Sequence, residues 1–298
     1  MNSQIIHVPP EFSHTRLDAF LRESIPDRSR SFLAGLIADG RVCVDQRRQT
    51  KAGYRLKGGE TVKIRWPQER SSLVPYPLTI PVVYEDDDVL VVEKPPDLTV
   101  HPPNPRNQRT LVNALLFMQC PLSPVNPLRP GVVHRLDRET SGLMVLAKHT
   151  RAHHFLVGEF KERRVGKRYA AICWGTLKKD RMVLDLPLKR DARNRLKMKI
   201  SFRKAKEART EIAVRERLRD ATFLDINLYT GRMHQIRVHM KFLGYPLVGD
   251  RKYGRKDQWD GLLLHSRVLS FLHPSDRKRR RFESPLPARF DRFLKERR

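Results

Sequence analysis

Leu17, Phe20 and Leu21 recur at helical spacing, and Phe32, Leu33, Leu36 and Ile37 mark one face of a second short stretch. Two short helices are expected there. Pro26 separates them, Asp27 or Ser29 is able to cap the second, and Gly40 ends it. Val42-Cys43-Val44 and Thr61-Val62-Lys63-Ile64 then read as short strands, with Gly58-Gly59 as a turn. The apolar positions of residues 13–65 thus outline one compact module. Residues 66–80 are rich in proline and serine and read as a semi-extended linker.

From residue 81 to residue 298 the pattern changes. Val89-Leu90-Val91-Val92 is the continuous apolar run of a buried strand. Residues 142–146, 169–174 and 223–228 are further strand-like runs, and Leu111 to Met118 and Ala152 to Phe160 read as helices. There is no internal repeat and no regular strand–helix alternation. The expected fold class is α+β: a small N-terminal α/β module, then a larger domain built on a mixed, mostly antiparallel sheet.

Charge narrows the function. Lys plus Arg is 60 against 33 for Asp plus Glu, a formal net charge of +27 in 298 residues. From Lys148 to Arg219 there are 23 basic residues against 8 acidic ones, and Arg277 to Arg281 adds a second cluster. Each cluster alone reads as a solvated face. The sum calls for an anionic partner, nucleic acid before an anionic membrane. The helix–turn–strand face of the first module carries Arg28, Arg30, Arg41, Arg47, Arg48 and Lys51, a surface suited to RNA phosphates.

No apolar run approaches the roughly 20 residues needed to span a bilayer. The N-terminus has neither a basic leader nor a long apolar core, so no signal peptide is expected. Cys43, Cys120 and Cys173 are far apart and form no CxxC, which argues against disulfides and suits a reducing cytoplasm. His149, His153, His154, His234 and His239 come without an HExxH, so packed or surface histidines are expected rather than a metal site. A monomer is expected.

Three segments concentrate candidate chemistry. The first runs from Val89 to Pro96 and on through His101-Pro102. The second, Val133 to Leu143, is a polar stretch between the apolar runs Val132-Val133 and Leu143–Ala147, read as strand–loop–strand with Asp137 in the loop. A carboxylate at a strand end within a basic surface is a candidate nucleophile or base, or equally a loop carboxylate in an ion pair. In the third, Thr230-Gly231-Arg232 reads as a turn, with Met233, Ile236 and Met240 at helical spacing after it. Arg237 could reach a buried aspartate and keep it ionised. A surface phosphate contact would also fit it.

His134-Arg135-Leu136-Asp137 with Thr140-Ser141-Gly142, and Thr230 through His239, resemble the signatures of the RluA family of pseudouridine synthases. So do Gly244-Tyr245-Pro246-Leu247-Val248-Gly249-Asp250 with Tyr253-Gly254, Lys167-Arg168-Tyr169-Ala170-Ala171, and Leu264-His265-Ser266. The match spans about Val89 to Pro274, in the family's order. The first module resembles an S-four-type RNA-binding domain through Arg16-Leu17-Asp18, Ser29-Arg30, Leu36-Ile37, Gly40-Arg41-Val42 and Val44. Three positions depart from the patterns, one of them Met233, which stands where the family commonly has a small hydroxyl residue. Asp45-Gln46 stands where the module usually has Asn-Gly, and Pro96-Asp97 where the family commonly has a glycine after its Lys-Pro pair.

The resemblance implies an RNA uridine-to-pseudouridine isomerase that needs no cofactor and no metal. It implies Asp137 as the essential carboxylate, Tyr169 stacking on the target base and assisting proton removal from carbon 5, and Arg237 paired with Asp137. It also implies that Arg135 fills the place of the extruded uridine. Arg28, Arg30, Arg41, Arg47, Arg48 and Arg232 would hold RNA. The expected substrate is structured RNA, ribosomal before transfer RNA. A non-catalytic RNA-binding factor and a base-releasing glycosylase are the rival readings.

Overall fold

The computed structural model describes residues 3–26, 28, 30–66, 73–104, 107–255 and 257–298. The chain separates into two compact units, Met1–Ser71 and Ser72–Arg298. The first holds β1 (Ser3–His7), α1 (Leu17–Ser24), α2 (Arg30–Ala38), β2 (Val42–Val44), β3 (Arg47–Gln49) and β4 (Thr61–Arg65). Its sheet has the order β1-β4-β2-β3 and is antiparallel throughout. Leu17, Phe20, Leu21, Leu33, Leu36 and Ile37 from the helices meet Val42, Val44, Val62 and Ile64 in one core. β1 precedes the expected module boundary. Its residues are mostly exposed, so it carries no burial pattern to read. Asp27 and Ser29, the expected caps of α2, lie outside the described residues. The β2–β3 turn puts Asp45 at φ +44° and Gln46 at φ +67°, both left-handed as a tight hairpin of the primed type requires. The Asp45 carboxylate accepts the Thr61 N–H at 2.8 Å, which anchors the turn to β4.

Residues 67–72 of the expected linker lie outside the described residues. Residues 73–80 are extended but not loose: Leu73 and Ile80 are buried, and Asn113 Nδ2 donates to the Val74 carbonyl at 2.7 Å. They belong to the second unit because their apolar side chains have a core to enter.

The second unit contains β5 (Val82–Glu85), β6 (Val89–Lys94), α3 (Leu111–Phe117), β7 (Ser141–Ala147), α4 (Thr150–Lys161), β8 (Gly166–Trp174), β9 (Arg181–Asp185), β10 (Leu188–Arg190), β11 (Met198–Ile200), β12 (Arg209–Arg217), β13 (Ala221–Leu228), α5 (Gln235–Phe242), β14 (Leu264–Leu272), β15 (Arg279–Glu283) and α6 (Ala288–Arg297). A nine-stranded sheet runs β5-β6-β7-β14-β8-β13-β12-β9, with β15 also on β14, and β10 and β11 form a separate hairpin. The β7–β14 pair is parallel and the other strand pairs are antiparallel.

Both faces of the sheet are covered, which explains the unbroken apolar runs. On one face Leu90, Val92, Met144, Leu146, Tyr169, Ala171 and Leu224 meet Leu111 and Leu115 of α3 and Ile236 and Met240 of α5. On the other, Val89, Val91, Leu143 and Val145 meet Ala152 and Leu156 of α4. Farther along that face Ala170, Ile172 and Phe223 meet Phe290 and Phe293 of α6. Alternate residues of one strand therefore enter different cores.

Gly142 is where the parallel pair closes. It pairs with Ser266, has φ +112°, and a Cβ there would lie 2.3 Å from the Ser266 carbonyl oxygen. Gly142→Ala is expected to cost roughly 3 kcal/mol or more, read as a fall in the urea midpoint. An unchanged midpoint would mean that the pair opens without loss.

Candidate active site

Asp137 sits in the loop between Val132, which makes an isolated bridge to Leu146, and β7. Three anchors fix this loop. Lys94, fully buried at the end of β6, donates to the carbonyls of Pro95 (2.7 Å), Leu98 (2.8 Å) and Arg138 (3.0 Å). Burial pushes its pKa down to about 7, against the pull of Asp137, Asp97 and Glu139. His134 accepts the Val145 N–H on Nε2 at 3.1 Å and stacks on Phe160 at 4.6 Å. Leu136 is buried in the sheet core. Apolar Leu136 turned inward leaves its neighbours Arg135 and Asp137 facing outward, Arg135 exposed and Asp137 at 15% side-chain exposure.

Opposite the loop stands the turn that starts α5. Gln235 holds it together: its side-chain oxygen accepts from Thr230 Oγ1 (2.8 Å) and the Arg232 N–H (3.0 Å), while Nε2 donates to Thr210 Oγ1 (2.9 Å). His234 takes φ +56° just before the helix, and its N–H donates to Asp137 Oδ1 at 3.4 Å. The positive end of α5 therefore faces the carboxylate.

Arg237 differs from the sequence expectation. Its bidentate partner is Asp250, at 2.9 and 2.7 Å, with both residues 1% exposed. Its remaining terminal nitrogen reaches Glu139 at 3.0 Å and Asp137 at 3.8 Å. A buried guanidinium has five N–H donors and needs more than one acceptor group. Asp250 holds the fork, which leaves Asp137 turned to the cleft and touched only by the far tip. Burial works against both carboxylates, yet Arg237 holds Glu139 and Asp250 below their usual range.

Asp137 lines a cleft of about 470 Å³ with Arg135, Thr140, Phe160, Lys167, Tyr169, Arg232, Met233 and Ile236. Tyr169 lies on β8 in the wall of this cleft. Burial, with the charge of Asp137, raises its phenol above the ordinary value despite the hydroxyl of Ser266, so the ring is neutral. A carboxylate under a helix N-terminus beside a neutral aromatic ring forms a pocket for one flat polar group.

Residues 88–242 match the family model described as RNA pseudouridylate synthase, and residues 15–62 match the S4 domain. The Bacillus subtilis protein named uncharacterized RNA pseudouridine synthase YlyB is 40% identical over 96% of this chain and 95% of its own. The chain belongs to the RluA-type RNA pseudouridine synthases. The Neisseria meningitidis ribosomal large subunit pseudouridine synthase D is 40% identical over 94% of this chain and 78% of its own. Among solved structures, human RNA pseudouridylate synthase domain containing 1 superposes with a TM-score of 0.60, at 26% identity over 73% of this chain and 94% of that one. The protein is thus an intramolecular isomerase acting on RNA, with an S4 domain before the synthase domain.

In this synthase the expected RNA-binding residues divide. Arg135 and Arg232 line the cleft, and Arg232 Nε donates to the Glu207 carbonyl at 2.9 Å. In the S4 domain Arg41 and Arg47 are exposed. Arg28 lies over the rings of Phe32 (5.6 Å) and Trp66 (5.9 Å). Arg30 is fastened to the buried carboxylate of Asp18 at 2.8 Å, which Arg16 also holds at 2.9 Å, and Arg48 donates to the Asp39 carbonyl at 3.0 Å. Those two guanidinium groups brace the domain as well as facing solvent.

Sequence reading passed over Lys94, Glu139 and Asp250 as site residues. It also passed over a group far from the cleft in sequence, Asp86, Asp88 and His273, whose ligand-type atoms lie within 4.8 Å of one another. Hydrogen bonds already engage them: His273 with Asp86 at 2.8 Å, and His149 with Asp88 at 2.9 Å. His239 is buried between Thr210 Oγ1 and the Leu186 carbonyl.

Two histidines held neutral by their surroundings, His265 buried and His134 half-buried, make the fold acid-sensitive. His265, fully buried between Ser141 and Ser284, is pushed down to about 4 by burial with Arg289 and Arg267 nearby. His134 is pushed down to about 3. Below the ordinary value of 6.5 the unfolded chain binds these protons first, so stability is full above about 6.5 and drains as pH falls toward 4. For His265 the loss at pH 5 is about 2 kcal/mol. Urea unfolding of wild type and His265→Gln at pH 7.5 and 5 should show the gap between them shrinking by that amount. A gap independent of pH would contradict the assignment.

Proposed function

We propose that the enzyme isomerises uridines of large-subunit ribosomal RNA, with Asp137 as the essential carboxylate. The observation that carries the residue roles is the shared cleft: Asp137 and Tyr169 line it together, with the Arg237 tip and the α5 N-terminus on the carboxylate. Asp137 acts at the C1′–N1 linkage, the released uracil turns on the Tyr169 ring, carbon 5 joins C1′ and gives up its proton to solvent, and N1 takes one up. The neutral phenol of Tyr169 suits stacking better than service as a phenolate base. Arg135, exposed at the rim, occupies the space that the extruded nucleotide leaves. Relatives named ribosomal large subunit pseudouridine synthase D, at 36–40% identity over 91–97% of this chain, favour the ribosomal substrate.

The test uses RNA labelled with tritium at carbon 5 of uridine, taken from cells that lack the gene and separated into ribosomal and transfer fractions. Tritium release from large-subunit RNA, without free uracil, is expected. Release from transfer RNA alone would overturn the substrate reading, and free uracil would make the protein a glycosylase.

A further inference from the structure

Lys167 enters none of the roles above, yet it occupies the wall of the same cleft. It lies on β8 two residues before Tyr169, so both side chains leave the same face of the strand. Its stem is half-buried. Its Nζ is 3.8 Å from where a Cβ on Gly231 would be. Among the described residues no carboxylate pairs with it and no carbonyl accepts from it. Burial, and then the positive charges of Arg232 and Arg163, push it down to about 8. Its ammonium is therefore open to the cleft, where an acceptor can come only from a bound molecule or solvent.

Its neighbours are already committed. Arg163 makes a bidentate pair with Glu207, at 3.0 and 2.6 Å. Arg232 gives Nε to the Glu207 carbonyl. Glu207 thus braces the rim and neutralises part of it. Lys161 also lines the cleft.

We propose that Lys167, with Arg232, binds a backbone phosphate of the nucleotide whose base enters the cleft. A phosphodiester oxygen would supply the missing acceptor and accept a charge-assisted hydrogen bond. This site fixes the nucleotide beside the turn that starts α5, where Gly231 and Arg232 lie. The base then meets Tyr169 in one orientation while the glycosidic bond is open. The inference rests on the reading of this cleft as the active site.

The test compares wild type, Lys167→Met and Lys167→Arg as full-length proteins. The first readout is binding of uridine, uridine 3′-monophosphate and uridine 5′-monophosphate by ligand-observed NMR. One of the monophosphates is expected to bind wild type about tenfold more tightly than uridine. That advantage should vanish in Lys167→Met and return in Lys167→Arg, with uridine affinity alike in all three. The second readout is tritium release from large-subunit RNA. For Lys167→Met, kcat/KM should fall about tenfold, mainly through KM, and its log–log salt slope should be shallower by about 0.7, the share of one phosphate.

No phosphate advantage in wild type, or Lys167→Arg behaving like Lys167→Met, would overturn the phosphate site. A phosphate advantage without any tritium release from ribosomal RNA would support the site and overturn only the substrate reading.

Discussion

Asp137→Asn is expected to lower pseudouridine formation by at least about 10³-fold while RNA affinity stays level or rises slightly. The change keeps the volume of the side chain and an oxygen to accept the His234 N–H, so the loop retains its anchor. What is lost is the negative charge, and with it the ability to attack or to take a proton. RNA affinity should not suffer, because a carboxylate facing a polyanion opposes binding. Contact with Arg237 alone does not single Asp137 out, since Glu139 is closer, 3.0 against 3.8 Å. The cleft decides between them: Asp137 is in its lining and Glu139 is not. Glu139→Gln should therefore cost far less, about tenfold, through a less firmly held Arg237. Tritium release and gel-shift affinity, measured for both variants, check the pair. Equal losses would mean that the two carboxylates act as one charged unit and that Asp137 has no chemistry of its own.

The sequence made some of this legible and hid the rest for physical reasons. β6, β7, β8 and β13 could be read because both sheet faces are covered, which removes polar residues from the strands. The polar loop around Asp137 stood out against the apolar runs that flank it. β1 left no such mark, since it pairs at a sheet edge with most of its side chains in solvent. Nothing in the run Val89–Pro96 tells Lys94 from any other lysine at a strand end; only the fold shows that three carbonyls converge on its ammonium. Asp250 was hidden for another reason. It lies 13 residues beyond Arg237, past the end of α5 and the left-handed Gly249. No periodicity links a helix residue to a turn residue at that distance. The expected Asp137–Arg237 contact is there at 3.8 Å, the longest of the three that Arg237 makes with carboxylates, because a sequence shows which charges could meet and not how a guanidinium divides five donors among three carboxylates.

Arg237→Met is expected to destabilise the fold by roughly 3–5 kcal/mol, the usual loss when one partner of a buried ion pair is removed. The penalty falls on Asp250, left charged at 1% exposure and held, among the described residues, by the Lys252 and Tyr253 N–H groups at 2.9 and 3.0 Å. The double variant Arg237→Met/Asp250→Asn should recover most of the stability. Asparagine keeps the oxygen that those two N–H groups need and carries no charge to strand. A buried ion pair replaced as a unit by neutral groups of similar volume often costs little. Activity should not return with stability. Glu139 and Asp137 would still lack the cation that spans them, so tritium release should stay down by roughly 10²-fold or more in both variants. Urea midpoints and kcat for the single and double variants separate the two contributions. Recovery of both together would reduce Arg237 to a strut for the 249–254 turn. Recovery of stability alone would place it as the positioning residue that holds Asp137 against the α5 N-terminus, acting through its tip while its fork is spent on the fold.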